Sequence, residues 1–214
     1  MKEFTMNQKE RMLAGLPYKA WLDGLEEERR ECRRKLYELN HLPLEQQSRV
    51  PELLRGLFGK AGPDLWIEPP FHCDYGWNIE VGNRFFANYN LVILDVGKVV
   101  IGENVQLAPN VAIYTAGHPI HPDSRNSGYE YGIPITIGDN VWIGGNTVIL
   151  PGVTVGSNTV IGAGSVVSKN IPDYVVATGN PCRVIREITE QDRIYYFKDR
   201  MFDQEAWQEI SAPR

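Results

Sequence analysis

Two histidines, His118 and His121, stand in the stretch IYTAGHPIHPDSRNSGYEYGIPITIG, which runs from Ile113 to Gly138. Imidazole has an ordinary pKa near ~6.5, so it can take up and return a proton around neutrality. Either residue can therefore act as general base for an alcohol, a poor nucleophile until its proton is drawn off; such catalysis contributes on the order of 10²–10⁴-fold. The same nitrogens can ligate zinc, but a metal centre needs a third ligand and none is signalled nearby. For a lone histidine without a motif, a surface or hydrogen-bonded structural role is the favoured reading. His41 and His72 have no motif around them. Cys32, Cys73 and Cys182 form an odd set without paired short spacing, which reads as reduced thiols rather than a disulfide framework or a thiolate metal site. A thiolate nucleophile would need an adjacent base, and no histidine motif accompanies any of the three.

The histidines interrupt a regular pattern. In sixes, VWIGGN, TVILPG, VTVGSN, TVIGAG and SVVSKN place Ile143, Ile149, Val155, Ile161 and Val167 at the third position, all β-branched. The same phase holds at Ile101, Leu107 and Ile113, and an earlier phase, offset by Gly97 and Lys98, takes in Val81, Ala87 and Ile93. A hexapeptide period of this kind predicts a parallel β-helix: each six gives one short strand and one corner, and three sixes close a triangular coil whose third-position side chains stack inward. Gly138, Gly144, Gly156 and Gly162, with Asn140 and Asn158, are expected at corners with unusual backbone angles. Spacing does not fix the handedness, and the general crossover rule would favour a right-handed turn. The pattern stops after Ile113 and resumes in phase at Ile137, so the histidines belong to an insertion, about 117–132, that projects from the coil.

The rest of the chain frames this solenoid. A length of 214 residues, 43% hydrophobic and 23% charged, suits one compact domain with appendages. A net charge of −5 argues against nucleic acid and against an anionic membrane surface. The N-terminus MKEFTMNQKERM lacks a secretory apolar run and no window has the length of a membrane span, so a cytoplasmic protein is expected. Residues 1–60 read as a helical segment: 26–42 is a solvated helix burying Cys32, Leu36 and Leu39, and Ser48 and Pro51 open a capped helix that ends at Gly59. Residues 61–186 form the β-helix domain. In the tail, 187–214, Tyr195, Tyr196, Phe197, Phe202 and Trp207 are expected to cover a coil or a neighbouring subunit.

With these parts located, the chain resembles the sugar O-acetyltransferases of the left-handed β-helix superfamily nearly end to end. The resemblance is carried by CDYGWNI (73–79), FFANYNLVILDV (85–96), IYTAGHPIHP (113–122), RNSGYEYGIPITIGDNVWIGG (125–145) and TGNPCRVIREI (178–188). It is nearer the maltose O-acetyltransferases than the galactoside O-acetyltransferases, which carry two consecutive aspartates where this chain has Asp95 and Val96. It implies a left-handed coil, a homotrimer with active sites between subunits, acetyl-CoA as donor, no required metal, and a glucose- or maltose-like acceptor.

Carried over residue by residue, the resemblance makes His118, in TAGHPI, the general base, and leaves His121 to loop structure or pocket lining. Asp74, Asn88 and Asp95 lie in the matched motifs as acceptor-binding candidates; Asp and Asn also stabilise corners, a role that fits Asp95 as well as contact does, while contact is favoured for Asn88. Gly145, Ala163, Ser168, Lys169, Arg183 and Arg186 fall along the coenzyme track, with the Gly145 N–H a donor to a developing oxyanion and the three cations facing phosphates. Trp142 either shapes the thioester slot or makes a trimer contact. The alternatives are an acetyltransferase of the same scaffold for an oligosaccharide, serine or an antibiotic alcohol, a zinc carbonic anhydrase-like protein, and a silent or ice-binding solenoid, for which Thr147, Thr154 and Thr159 are too irregularly spaced.

Overall fold

The computed structural model describes residues 6–212; the first five residues of the N-terminal segment and the last two of the tail lie outside them. The hexapeptide positions fold as a parallel β-helix, and all twelve third-position residues from Val81 to Val167 point into it, none more than 3% exposed. Three faces follow one another around each coil. The first holds Lys60–Ala61, Ile79–Val81, Val99–Ile101, Ile135–Ile137 and Thr154–Val155. On the second lie Leu65–Ile67, Phe85–Ala87, Gln106–Leu107, Trp142–Ile143, Val160–Ile161 and Val175–Thr178, and Arg183–Glu187 turns back antiparallel against the last of these. The third stacks Phe71–Cys73, Leu91–Leu94, Ala112–Tyr114, Val148–Ile149 and Val166–Val167.

Two devices hold the corners. Asn104, Asn140 and Asn158 have positive φ, and their amides bond in a ladder, Asn104 donating to Asn140 at 3.0 Å and Asn140 to Asn158 at 2.8 Å. Asparagine tolerates this backbone because its short amide is satisfied locally. The glycines act differently from the expectation. Gly138, Gly144, Gly156 and Gly162 are not among the positive-φ residues. They are small because the next coil is too close: a Cβ on Gly144 would lie 2.5 Å from the Ala163 nitrogen, and one on Gly162 2.5 Å from Thr178 Oγ1.

A stacked core exposes apolar side chains at its ends unless something covers them. At the N-terminal end α1 (Gln8–Leu13) leads to α2 (Leu25–Asn40), which turns Cys32, Leu36 and Leu39 toward the coil, and α3 (Val50–Leu57) adds Val50, Leu54 and Leu57 to the same core. The cap expected at Ser48 is absent. A 3₁₀ turn, Leu44–Arg49, runs straight into α3, and its Gln47 carbonyl accepts the Val50 N–H. Met12, Tyr18, Leu25, Tyr75 and Val96 make a second, smaller core beside the first. The tail forms a short hairpin, Tyr195–Phe197 with Arg200–Met201, and an outer helix, Gln204–Ser211. Its aromatics are in part turned to solvent: Tyr196 and Phe197 are each 55% exposed, and Tyr196 packs on Phe202 with ring centres 5.5 Å apart. Among the described residues no helix is long and apolar enough to cross a membrane.

Candidate active site

From Ala61 to Ala177 every departure from the six-residue step falls at one edge, where the third face turns into the first. Eight positions separate Cys73 from Val81 and Ile93 from Ile101, and twenty-four separate Ile113 from Ile137. The faces stay in register across these excursions: Ile113 pairs with Ile149 and Ile101 with Ile137. This edge can be elaborated without disturbing the stacked core, and Asp74, Asp95 and the histidine insertion all sit on it.

Asp95 is fully buried, and its carboxylate ties two coils together. One oxygen accepts the N–H groups of Asp74 at 2.8 Å and Tyr75 at 2.9 Å, and the other accepts that of Gly76 at 2.8 Å. Burial raises its pKa against the lowering pull of those donors. Both oxygens are thus engaged in holding the corner that presents Asp74. Asp74 itself is pushed up to about 6, first by burial, then by the Asp95 carboxylate and by Glu130, while Arg29 and Arg33 oppose the rise. The Arg29 guanidinium also donates to the Tyr75 hydroxyl and the Ala20 carbonyl, both at 2.6 Å.

The insertion leaves the coil as a hairpin stem, Ala116–Gly117 paired antiparallel with Tyr131–Gly132, and carries a short helix, α4 (Pro122–Asn126), at its tip. His118 is the first residue beyond the stem and is exposed. His121 caps α4, its Nδ1 accepting the Asp123 N–H at 3.3 Å. Thr115 anchors the root, its hydroxyl accepting the Gly97 N–H at 2.8 Å.

The remaining candidates lie elsewhere. Asn88, Gly145 and Ala163 are on the edge between the second and third faces, with Trp142 on the second face and 55% exposed. Gly145 and Ala163 occupy equivalent places in successive coils, and among the described residues neither N–H has a backbone acceptor. Asn88 accepts the Tyr89 N–H at 2.8 Å, which leaves its amide hydrogens for another partner. Ser168 and Lys169 are exposed on the edge that carries the insertion, nearer the C-terminal end of the solenoid. Arg183 and Arg186 are exposed on the antiparallel return strand. Arg186 is already paired with Asp192 through two hydrogen bonds, at 2.8 and 2.6 Å, which hold the Asp192 carboxyl down to about 2. A cavity of about 800 Å³ is an open depression in the tail beside this pair, lined by Arg186, Asp192 and Tyr195. Among the described residues no group of three His, Cys, Asp or Glu could hold a metal ion.

One protomer therefore places His118, Asp74 and Asp95 on one edge and Asn88, Gly145 and Ala163 on another. Five residue-to-residue steps along the Leu91–Leu94 strand carry the chain from Asn90 to Asp95, about 16 Å. Tyr18, Arg29, Tyr75 and Glu130, which surround Asp74, were missed in the sequence. Glu130 lies inside a quoted motif but carries no spacing signal, and Tyr18 lies in a segment without any period.

Comparison with known proteins identifies the family of the chain as a whole. The maltose acetyltransferase hexapeptide capping motif matches residues 11–62, and the bacterial transferase hexapeptide (six repeats) matches 134–169. The galactoside O-acetyltransferase of Escherichia coli (strain K12) is 48% identical over 91% of this chain and 96% of its own. A solved galactoside acetyltransferase in complex with coenzyme A superposes with a TM-score of 0.90 at 47% identity, covering 94% of this chain and all of that one. A maltose O-acetyltransferase from Clostridium difficile 630 gives a TM-score of 0.85 at 53% identity over 86% of this chain and 98% of that one.

Proposed function

The chain belongs to the sugar O-acetyltransferases of the hexapeptide-repeat type, and from that premise we propose that it moves the acetyl group of acetyl-CoA to a hydroxyl of a glucose- or maltose-like sugar, in a ternary complex, with His118 as general base. The sugar oxygen attacks the thioester carbonyl carbon while His118 takes its proton. The tetrahedral oxyanion is met by the N–H of Gly145; the carbon–sulfur bond then breaks, and the imidazolium returns the proton to the departing coenzyme A sulfur. Asp74 and Asn88 orient the acceptor hydroxyls. Asp95 acts through the corner it clamps. Trp142, Ala163, Ser168, Lys169 and Arg183 line the coenzyme track, and Arg186 reaches a phosphate only by exchanging its bond to Asp192.

The observation that carries this reading is that the arm bearing His118 springs from the edge where Asp95 fixes Asp74. The preference for a glucosyl over a galactosyl acceptor is supported by Val96, 4% exposed in the smaller core, which offers no polar group to the sugar. Because Asn88 and Gly145 lie an edge away from Asp74, the site is completed by a second copy, and three copies in a ring give three such sites. The exposed Trp142 and the tail aromatics are the surfaces such a trimer covers. A cytoplasmic setting is part of the same reading, in keeping with three free thiols.

His118→Ala should lower acetyl transfer by about two or more orders of magnitude with the trimer intact; near-native turnover would refute the assignment. A panel of glucose, maltose, a galactoside, serine and chloramphenicol tests the acceptor, and turnover confined to serine or chloramphenicol would overturn the sugar reading.

A further inference from the structure

The arm is gripped along its returning strand by the N-terminal segment. Tyr18 and Glu130 form an antiparallel bridge, the Tyr18 N–H donating to the Glu130 carbonyl at 2.9 Å and the Glu130 N–H to the Tyr18 carbonyl at 3.0 Å. The Tyr18 side chain is completely buried, and its hydroxyl donates to Glu130 Oε1. On either side of the bridge, Lys19 lies 5.1 Å from the centre of the Tyr129 ring, and the Trp21 ring fills the space beside Gly128. The grip is anchored in turn, because Arg29 on α2 holds the Ala20 carbonyl. The stem fixes where this matters. It pairs Ala116 with Gly132 and Gly117 with Tyr131, and one more step in that register sets Glu130 opposite His118.

We infer that Tyr18 is a positioning residue: through Glu130 its sealed hydroxyl fixes the arm at the point where His118 leaves the stem. This rests on the reading of His118 as the base. A base on an exposed arm must stand in hydrogen-bond reach of the acceptor hydroxyl, and a misplacement of about 1 Å can lower the rate some 10²-fold. A hydroxyl–carboxylate bond whose tyrosine is buried at the foot of the arm restricts that motion more than the backbone bridge alone.

Tyr18→Phe removes only the oxygen. In the intact enzyme it should lower kcat about tenfold and leave the KM for acetyl-CoA within about twofold, while hydrogen–deuterium exchange over residues 117–132 rises. Glu130→Leu should lose about as much, and Glu130→Gln, which keeps an oxygen to accept the tyrosine proton, markedly less. The Tyr18→Phe/Glu130→Leu double variant should lose little more than either single one, because both break the same bond. Unchanged exchange over the arm in Tyr18→Phe overturns the inference whatever His118 does; so does a native kcat on a loosened arm, or additive losses. Should Tyr18→Phe fail to fold, equal activity of Glu130→Gln and Glu130→Leu overturns it instead. His118→Ala, run alongside, separates the two readings, since a live His118→Ala removes the base but leaves the exchange result standing.

Discussion

Asp74 carries a cost that its neighbours impose. Held by burial and by the Asp95 and Glu130 charges at a pKa of about 6, it keeps its proton in the folded chain over about pH 4 to 6, where the unfolded chain has released it. Stability therefore falls as pH rises across that window, and the deficit is complete above it. Asp74→Asn should raise the melting temperature at pH 7.5, by a margin that shrinks toward pH 4, and at the same time lower kcat/KM for the sugar. An Asp74→Asn protein less stable than wild type at pH 7.5 would contradict this account. The thiols point the other way. Cys32 and Cys73 are buried with sulfurs 3.6 Å apart, and burial pushes the Cys73 thiol well up, so Cys73 lacks the thiolate an acyl carrier needs. Alanine at both Cys73 and Cys182 should leave turnover largely intact; loss of turnover in a folded double variant would favour a covalent route. At this scale the sequence was partly legible. His118 is singled out by its motif alone, whereas the clamp at Asp95 depends on backbone N–H groups about twenty residues away, which side-chain identity does not announce.

At the scale of the coil, stacking rather than backbone angle selects the glycines. Gly144 faces the backbone of Ala163, which cannot move aside, so Gly144→Ala should destabilise by about 1–3 kcal/mol in a denaturant melt. Gly164 differs, with φ +71 and open space around a would-be Cβ, and it occupies the corner place that Asn90, Asn110 and Asn146 take in other coils. Gly164→Asn should melt within experimental error of wild type, and equal damage from both substitutions would undo the distinction. Periodicity revealed which residue of each six points inward, because Ile143 and Ile161 must share a core. It was silent on the gap between coils, since spacing along the chain carries no measure of the distance across it. The helix start at Val50 was misread for a related reason: a preceding 3₁₀ turn supplies carbonyls that no cap residue betrays.

For the whole molecule, the proposed trimer turns the division between two edges into a testable requirement for assembly. Mixed trimers of His118→Ala and Asn88→Ala chains, each inactive alone, should regain about a quarter of native activity, since a good site needs one intact edge from each kind and random mixing supplies that arrangement one time in four. No recovery from a mixture shown to exchange subunits would place the site within one chain. The tail aromatics expected to cover a coil are in part turned to solvent within one protomer, Tyr196 and Phe197 above all, so their sequence pattern gives no account of what they meet. The in-phase return at Ile137 has a wider consequence. A hairpin that departs and rejoins in register is an exchangeable cassette: its tip, residues 118–127, beyond the Thr115 root and the Tyr18–Glu130 grip, can be rewritten while the coils beneath keep their pairing.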